Sequence, residues 1–512
     1  MVPIDYFDSV ARRTWADVAL IEGSTSVTFG DVCRLSHHVA AEVAEATPAG
    51  APARVVVYAP NDYRVLVTMV GIMRAGASIV PIHAGSPIEN ICRTLQRIQP
   101  TSAFYHSSVE RQVVQIGNAM PAISRWVCMD RFDVASTSPV DLRFESDWID
   151  ASGNRDRPVF HWGTSGTTGE PKIVIDDVVT FDGALTFVRA QQQATGNRYV
   201  SLAIAPLSHG AGPHSFAILT LGGTVIVVRH FDAPEVLSLI EKHGVTDMWL
   251  PPTALYLLLD HPDVRKRDLS SLRHVQMGTA AVAPAKFREA IEVFGPCVSQ
   301  TYGQIETGFV TVLDAETAAE AAGGLHPERL ASAGRGIGVN QFAVMDEEGR
   351  VLSPCEPGEI VVRGRCVKRY LDGVATAEAR RFGWHHTGDL GYIDEDGFLF
   401  IVGRKKDIVN MAGIKIPAAE IERVILELPS VLECAVIAVP DRVRGEVPRA
   451  IVVPKTGQTL GSDELLSYCR QRLGVSRGPA SVEVRGEHLP RSAAGKIDKL
   501  RLRALAAVSE PA

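Results

Sequence analysis

The residues best suited to chemistry form one stretch, Gly163-Thr-Ser-Gly-Thr-Thr-Gly-Glu-Pro-Lys172. Its three glycines let the backbone turn tightly and approach a ligand. Four hydroxyls and a closing lysine supply the donors that a polyphosphate needs. It is not a Walker A loop, because no Gly-Lys-Ser/Thr ends it. Other groups able to handle charge follow: His209 in Ala205-Pro-Leu-Ser-His-Gly-Ala-Gly212, Glu306 in Gln300-Thr-Tyr-Gly-Gln-Ile-Glu306, and Asp389 in Trp384-His-His-Thr-Gly-Asp389. Arg404 and Lys406 lie in Gly403-Arg-Lys-Lys-Asp407, and Lys496 closes Leu489-Pro-Arg-Ser-Ala-Ala-Gly-Lys496. Taken singly, Asp389 reads as a turn residue, Glu306 as a solvated acid and Lys496 as an exposed lysine. Their meaning depends on what brings them together.

The elements that must position them are short β-branched runs separated by segments of helical period. Arg54-Val-Val-Val-Tyr, Ala77-Ser-Ile-Val-Pro-Ile, Tyr199-Val-Ser-Leu-Ala-Ile and Gly223-Thr-Val-Ile-Val-Val are such runs. Fully apolar strands alternating with helices predict an α/β fold with layered, mostly parallel sheets. The last hundred residues differ. A helix is expected from Pro417 to Leu428, opened by its proline, then strands at Glu433–Val439 and Arg449–Pro454, and a helix capped by Ser462 and ended by Gly474. That predicts a small α+β domain over 404–512 behind a large N-terminal domain over 1–403, joined in the charged stretch at 403–407. The Ala- and Glu-rich segment at 315–327 is expected to be a surface helix without chemical interest.

Composition narrows the function classes. The 512 residues carry 52 basic and 59 acidic side chains, a net charge of −7, which gives no electrostatic reason to hold nucleic acid or an anionic membrane. Eight scattered cysteines without Cys-x-x-Cys spacing suit a reduced, cytoplasmic protein rather than a zinc ribbon or disulfide scaffold. No signal peptide is expected at the Met1 end. The uncharged run from Tyr199 to Val228 is broken by Pro206, Pro213 and four glycines, so it is read as buried strand, loop and helix rather than a membrane span. The pair His37-His38 is placed on a polar helix face.

The loop at 163–172 resembles the phosphate-binding loop of the adenylate-forming superfamily, which includes acyl-CoA synthetases, peptide-synthetase adenylation domains and beetle luciferases. The segments around His209, Glu306, Asp389, Arg404 and Lys496 resemble that family's remaining motifs in the family's order, as does Glu356-Pro-Gly-Glu-Ile-Val-Val-Arg-Gly364. The resemblance implies that Thr164, Ser165, Gly166, Thr167, Thr168, Gly169 and Lys172 cradle the phosphates of ATP. It implies that Glu306 holds Mg²⁺, that Tyr302 stacks on adenine, and that Gly278, Thr279 and Ala280 line the nucleotide pocket. Asp389 would accept from the ribose hydroxyls, Arg404 would add a second ribose or phosphate contact, Lys496 would bridge carboxylate and α-phosphate, and Lys406 would be the hinge. His209 either gates the carboxylate pocket or is a satisfied core histidine. His385 and His386 read as structural.

The implied reaction is activation of a carboxylic acid by Mg·ATP to an acyl-AMP, then transfer to CoA. His209 stands where amino-acid-activating members have an Asp, so α-amino acids are excluded. Three departures bear on the chemistry: Ile173 follows the Pro-Lys where Gly is usual, Ile305 replaces a Thr, and Asn410-Met-Ala-Gly-Ile-Lys-Ile-Pro417 keeps only Gly413 of a Gly-Gly loop. The last leaves other acceptors open: a carrier-protein thiol, an amine or a partner enzyme. A catalytically dead relative and a luciferase-like oxidation are weaker readings. Gly210, Ala211, Gly212, Gly278 and Ala280 suggest room for a bulky aryl or alicyclic acid, with fatty acids also open. The oligomeric state is left undetermined.

Overall fold

The computed structural model describes residues 2–48, 50–131, 155–164, 171–193, 199–455, 457–491 and 497–509. The expected positions Ser165, Gly166, Thr167, Thr168, Gly169 and Lys496 lie outside them. Two layered sheets make most of the N-terminal part. The first has seven strands, in the order Arg369–Tyr370, Lys172–Asp177, Pro158–Thr164, Ser78–His83, Arg54–Ala59, Ser102–Tyr105, Arg125–Cys128. An interior strand, Arg54–Ala59, runs parallel to both neighbours, and Val55 to Tyr58 are buried on both faces. That explains an apolar run with no polar alternation.

The second sheet has nine strands. Thr224–Val227, Val200–Ala203, Asp247–Leu250, His274–Met277 and Val298–Gln304 lie parallel, and Gly308–Leu313 closes back antiparallel. One apolar core fills the space between the two sheets, drawing Val55 and Val57 from the first and Val225 and Val227 from the second. The outer face of the second sheet, with Met248, Leu250, Val275 and Met277, packs on Val236, Leu255 and Phe287 of the helices outside it. As expected, the run from Tyr199 to Val228 is strand, loop, helix and strand, with the helix at Ala211–Leu219.

A five-stranded antiparallel sheet follows, containing Gly358–Gly364, Trp384–Ile393 and Leu399–Arg404. The C-terminal part then builds a core of its own from Val409 to Leu502. Its long hairpin, Val431–Asp441 with Gly445–Pro454, extends both expected strands. Two local expectations change. Pro417 caps the helix Ala418–Leu426 from outside rather than opening it from within, and Leu428 lies beyond its end. Ser462 is the first helical residue behind Gly461, with no side-chain cap. The 315–327 segment is an α-helix over Ala315–Ala322, with Glu316 and Glu320 exposed as expected of a surface helix and Ala318 and Ala321 fully buried on its inner face. Among the described residues, no helix is long and apolar enough to cross a membrane.

His37 also departs from its expected polar face. Its Nε2 is buried without a hydrogen-bond partner among the described residues, and burial, helped by Arg74, pushes its pKa down to about 4. Burial does the same for His161 and His385, each to about 4. These folded values lie below the ordinary histidine value, so the unfolded chain takes up protons first as pH falls. The stability gained by keeping the rings neutral is fully present above about pH 6.5 and drains towards pH 4. The melting temperature is expected to fall steadily from pH 7 to pH 5, and His161→Gln should flatten that slope. A wild-type melting temperature independent of pH over this range would contradict the assignment.

Candidate active site

The phosphate-loop motif sits in a β-hairpin. Pro158–Thr164 and Lys172–Asp177 pair antiparallel with Thr164 opposite Lys172, so the loop leaves one strand and enters the next at the same level. Thr164 Oγ1 donates to the Lys172 carbonyl at 3.2 Å. The Lys172 ammonium lies 5.2 Å from the ring centre of Tyr370. That tyrosine is carried by a short strand paired with the second hairpin arm, Tyr370 opposite Val174. Its hydroxyl donates to Glu306 Oε1 at 3.2 Å, and burial together with Glu306 raises its pKa. Lys172, Tyr370 and Glu306 are thus one cluster. No motif marks Tyr370.

A second cluster surrounds Asp389, which is 5% exposed. Tyr302 Oη donates to Asp389 Oδ2 at 2.9 Å, and Gln304 Nε2 donates to the same oxygen at 2.8 Å. Gln304 also donates to the Thr387 carbonyl at 3.0 Å. Arg404, opposite Asp389 in strand register, places its Nε 3.1 Å from the other carboxylate oxygen. Burial and the adjacent Asp389 charge hold the Tyr302 phenol well above its ordinary pKa, so it stays a donor. Motifs separated by more than eighty residues in sequence meet at this one carboxylate.

Gly278, Thr279 and Ala280 follow the strand His274–Met277. Thr279 has a φ of 71°, the left-handed region that costs a β-branched residue about 1–3 kcal/mol and tends to occur at ligand sites. A Cβ on Gly278 would stand 3.1 Å from the Trp249 indole nitrogen, and one on Gly210 would stand 3.2 Å from the same ring. A Cβ on Gly212 would meet the Leu207 carbonyl oxygen at 2.2 Å. The indole is the neighbour that keeps Gly210 and Gly278 small, and Gly212 is small for its own backbone. Partly buried His209 exchanges a hydrogen bond with Ser208 Oγ at 3.1 Å. The ring of His83, kept neutral by burial, meets His209 edge-on with centroids 5.9 Å apart. His83 and Trp249 escape a motif search because their positions come only from how strands pack.

Among the described residues, no three His, Cys, Asp or Glu side chains gather to hold a metal. The lone carboxylate of Glu306 instead suits Mg²⁺, which takes one or two carboxylates and fills its shell with water and phosphate oxygens.

The AMP-binding enzyme model matches residues 7–371, and the model of the AMP-binding enzyme C-terminal domain matches 420–496. The chain belongs to the AMP-binding enzyme family. It is 33% identical over 502 residues to a feruloyl-CoA synthase of an Amycolatopsis species, covering 96% of each chain. It is 36% identical over 351 residues to the medium/long-chain-fatty-acid–CoA ligase FadD8 of Mycobacterium tuberculosis, a match spanning 67% of this chain and 60% of that one. Among solved structures it resembles the amide bond synthetase McbA of Marinactinospora thermotolerans, at 26% identity and a TM-score of 0.84 over 99% of this chain and 100% of the other.

For an AMP-binding enzyme, the buried Asp389 carboxylate invites an isosteric test of its expected place at the ribose. Asp389→Asn keeps the shape but loses the charge that binds Arg404. A hydrogen bond to a charged group is worth ~1.5–3 kcal/mol, so KM for ATP should rise about 10- to 100-fold. An unchanged KM would remove Asp389 from the nucleotide site.

Proposed function

We propose that this protein is an acid–thiol ligase that couples ATP cleavage to the making of an acyl-CoA. In the first step a substrate carboxylate oxygen attacks the α-phosphorus of ATP. The bond to the bridging oxygen breaks, and its electron pair leaves with pyrophosphate. In the second step a thiol attacks the acyl carbon, AMP leaves, and the thiol proton passes to solvent. The observation that carries the reading is the convergence of the Lys172–Tyr370–Glu306 cluster and the Tyr302–Asp389–Arg404 cluster, both attached through the strand Val298–Gln304 and its continuation to Glu306. Nucleotides bind where parallel strands end in this way.

The first step brings two anions together, so neutralisation and alignment dominate the barrier. Thr164 to Gly169 supply donors to the β- and γ-phosphates, and Lys172 meets the departing pyrophosphate. Glu306 holds Mg²⁺, which neutralises phosphate charge when bound. Tyr302 lies against adenine, with Gly278, Thr279 and Ala280 beside it. Asp389 and Arg404 take the ribose. His209 lies beside the reacting carboxylate, and Lys496 bridges it to the α-phosphate. The small domain, taken from residue 404, pivots at Lys406, which is exposed in the short helical turn Lys405–Asp407.

The acceptor divides two readings. The altered Gly-Gly loop forms a tight hairpin in which Met411 pairs with Ile414, and Ala412 and Gly413 have φ of 50° and 87°. Ala412 therefore tolerates the left-handed conformation that a glycine would adopt freely, which supports a retained turn and CoA as acceptor. The likeness to an amide bond synthetase favours the second reading, transfer to an amine or a carrier-protein thiol.

One incubation separates them: enzyme, Mg·ATP and CoA with a pool of aryl, alicyclic and fatty acids, followed by mass spectrometry. An acyl-CoA is expected. Acyl-AMP without acyl-CoA would shift the reading to another acceptor, and neither product would sink it. Lys496→Ala should lower acyl-AMP formation about 10²–10³-fold, the usual cost of removing a preorganised transition-state donor.

A further inference from the structure

The segment from Cys366 to Leu371 is bonded both to the phosphate hairpin and to the strand end that carries Glu306. The Lys368 backbone N–H donates to the Glu306 carbonyl at 2.8 Å, and the Tyr370 hydroxyl donates to the Glu306 carboxylate. On the other edge of the segment, Arg369 stands opposite Ile175 and Tyr370 opposite Val174, and the Leu371 N–H donates to the Ile173 carbonyl at 2.8 Å. Glu306 is therefore held by main chain and side chain from one segment. That segment is paired with the hairpin arm that begins at Lys172.

A ladder of two residue pairs fixes its register only weakly by itself, and a slip of one residue would turn Tyr370 to the other face, away from Glu306. Lys368 supplies what the ladder lacks. Continuing the register by one step sets it beside Asp176. Its Nζ lies 3.6 Å from Asp176 Oδ2, and the two side chains are 5% and 6% exposed. Asp176 Oδ1 accepts from Thr180 Oγ1 at 2.7 Å, which steadies the carboxylate from the helix that follows. Gly308 makes room for the lysine: a Cβ there would stand 3.1 Å from Cys366 Cβ and 3.7 Å from the Lys368 ammonium. Burial pushes the Asp176 carboxyl up and Lys368 pulls it down, so the lysine favours its charged form. A lysine this buried is rare without a partner. A buried ion pair adds little stability over two apolar side chains of similar size, yet parting its members is costly. Such a pair serves register better than it serves stability.

We infer that Lys368 is a positioning residue for the adenylation site, its ion pair with Asp176 setting the register of Tyr370 and thereby placing the Glu306 carboxylate against Lys172 and the phosphate hairpin. The inference rests on the acid-activating function proposed above, in which Glu306 holds Mg²⁺. Lys172 and Asp176, four residues apart on one strand, share a face, so the ion pair and the Lys172–Tyr370 contact lie on the same side of the hairpin arm.

Calorimetric titration of ATP into the full chain, once with Mg²⁺ and once with EDTA, reads the metal's share of nucleotide binding. Lys368→Met and, separately, Asp176→Asn should weaken binding of Mg·ATP about 10- to 100-fold, the usual cost of removing a group that orients a metal ligand, and leave binding in EDTA unchanged. Tyr370→Phe, which keeps the ion pair, should show the same loss. The double variant Lys368→Met/Asp176→Leu should recover the melting temperature, because two apolar side chains replace the pair, but not the binding of Mg·ATP. Recovery of both, or wild-type Mg·ATP binding in the folded single variants or in Tyr370→Phe, makes the pair structural only and overturns the inference. A wild type whose ATP binding ignores Mg²⁺, while pyrophosphate is still released with an acid of the pool, overturns this inference alone. Release with no acid overturns the ligase reading as well.

Discussion

A buried carboxylate has to be satisfied from every side, and Asp389 is satisfied by groups from two sheets. Leaving such an anion unpaired costs several kcal/mol, so its partners are fixed in place as firmly as it is. Tyr302 and Gln304 reach it from the long parallel sheet; Arg404 reaches it from the last strand before the small domain. The same strand that offers Tyr302 continues to Glu306, and through Tyr370 to the hairpin bearing Lys172. That charge is one of several polar ties between the two sheets, beside Gln304 to the Thr387 carbonyl and Asn340 to the Thr307 and Phe309 carbonyls.

Space is governed by a different constraint. Between the parallel sheet and its covering helices, packing leaves no slack, so the Trp249 indole is paid for by glycine at both Gly210 and Gly278. Strain gathers at the same edge: Thr279 holds a φ of 71° immediately after Gly278. A backbone forced into that region next to a glycine that cannot be larger marks a segment shaped for a ligand rather than for stability.

Much of this was legible in the sequence, for a physical reason. The phosphate loop, Glu306, Asp389 and the 403–407 stretch are local motifs, because each needs neighbouring residues in one turn or strand end. The apolar runs announced buried parallel strands, and Arg54–Ala59 is such a strand. Tyr370, His83, Trp249 and the Lys368–Asp176 pair were not legible. Each acquires its meaning from register between strands far apart in sequence, such as Trp249 opposite Gln276 or Tyr370 opposite Val174. The neighbour of Gly210 and Gly278 was hidden for the same reason: a missing Cβ does not name the side chain, here Trp249, that packs against it. Helix starts slipped by a residue because Pro417 and Gly461 can cap without offering a side-chain oxygen.

The way the small domain is attached bears on whether it can turn. Its apolar core begins at Val409 and takes nothing from the large domain. Contacts across the boundary include Lys455 to Asp260 at 3.3 Å, where Asp260 also serves Lys286 at 2.9 Å. Before the boundary, Lys405 sits 3.5 Å from Glu347 and 3.7 Å from Glu359. Partly exposed ion pairs of this kind contribute about 0–1 kcal/mol each, and water replaces them readily. A turn about Lys406 would break the Lys455–Asp260 pair while leaving Arg404 and Lys405, which precede the pivot, against Asp389 and Glu359. The contacts that such a turn would cost are thus solvated ones, and the pairs around Asp389 would be left in place.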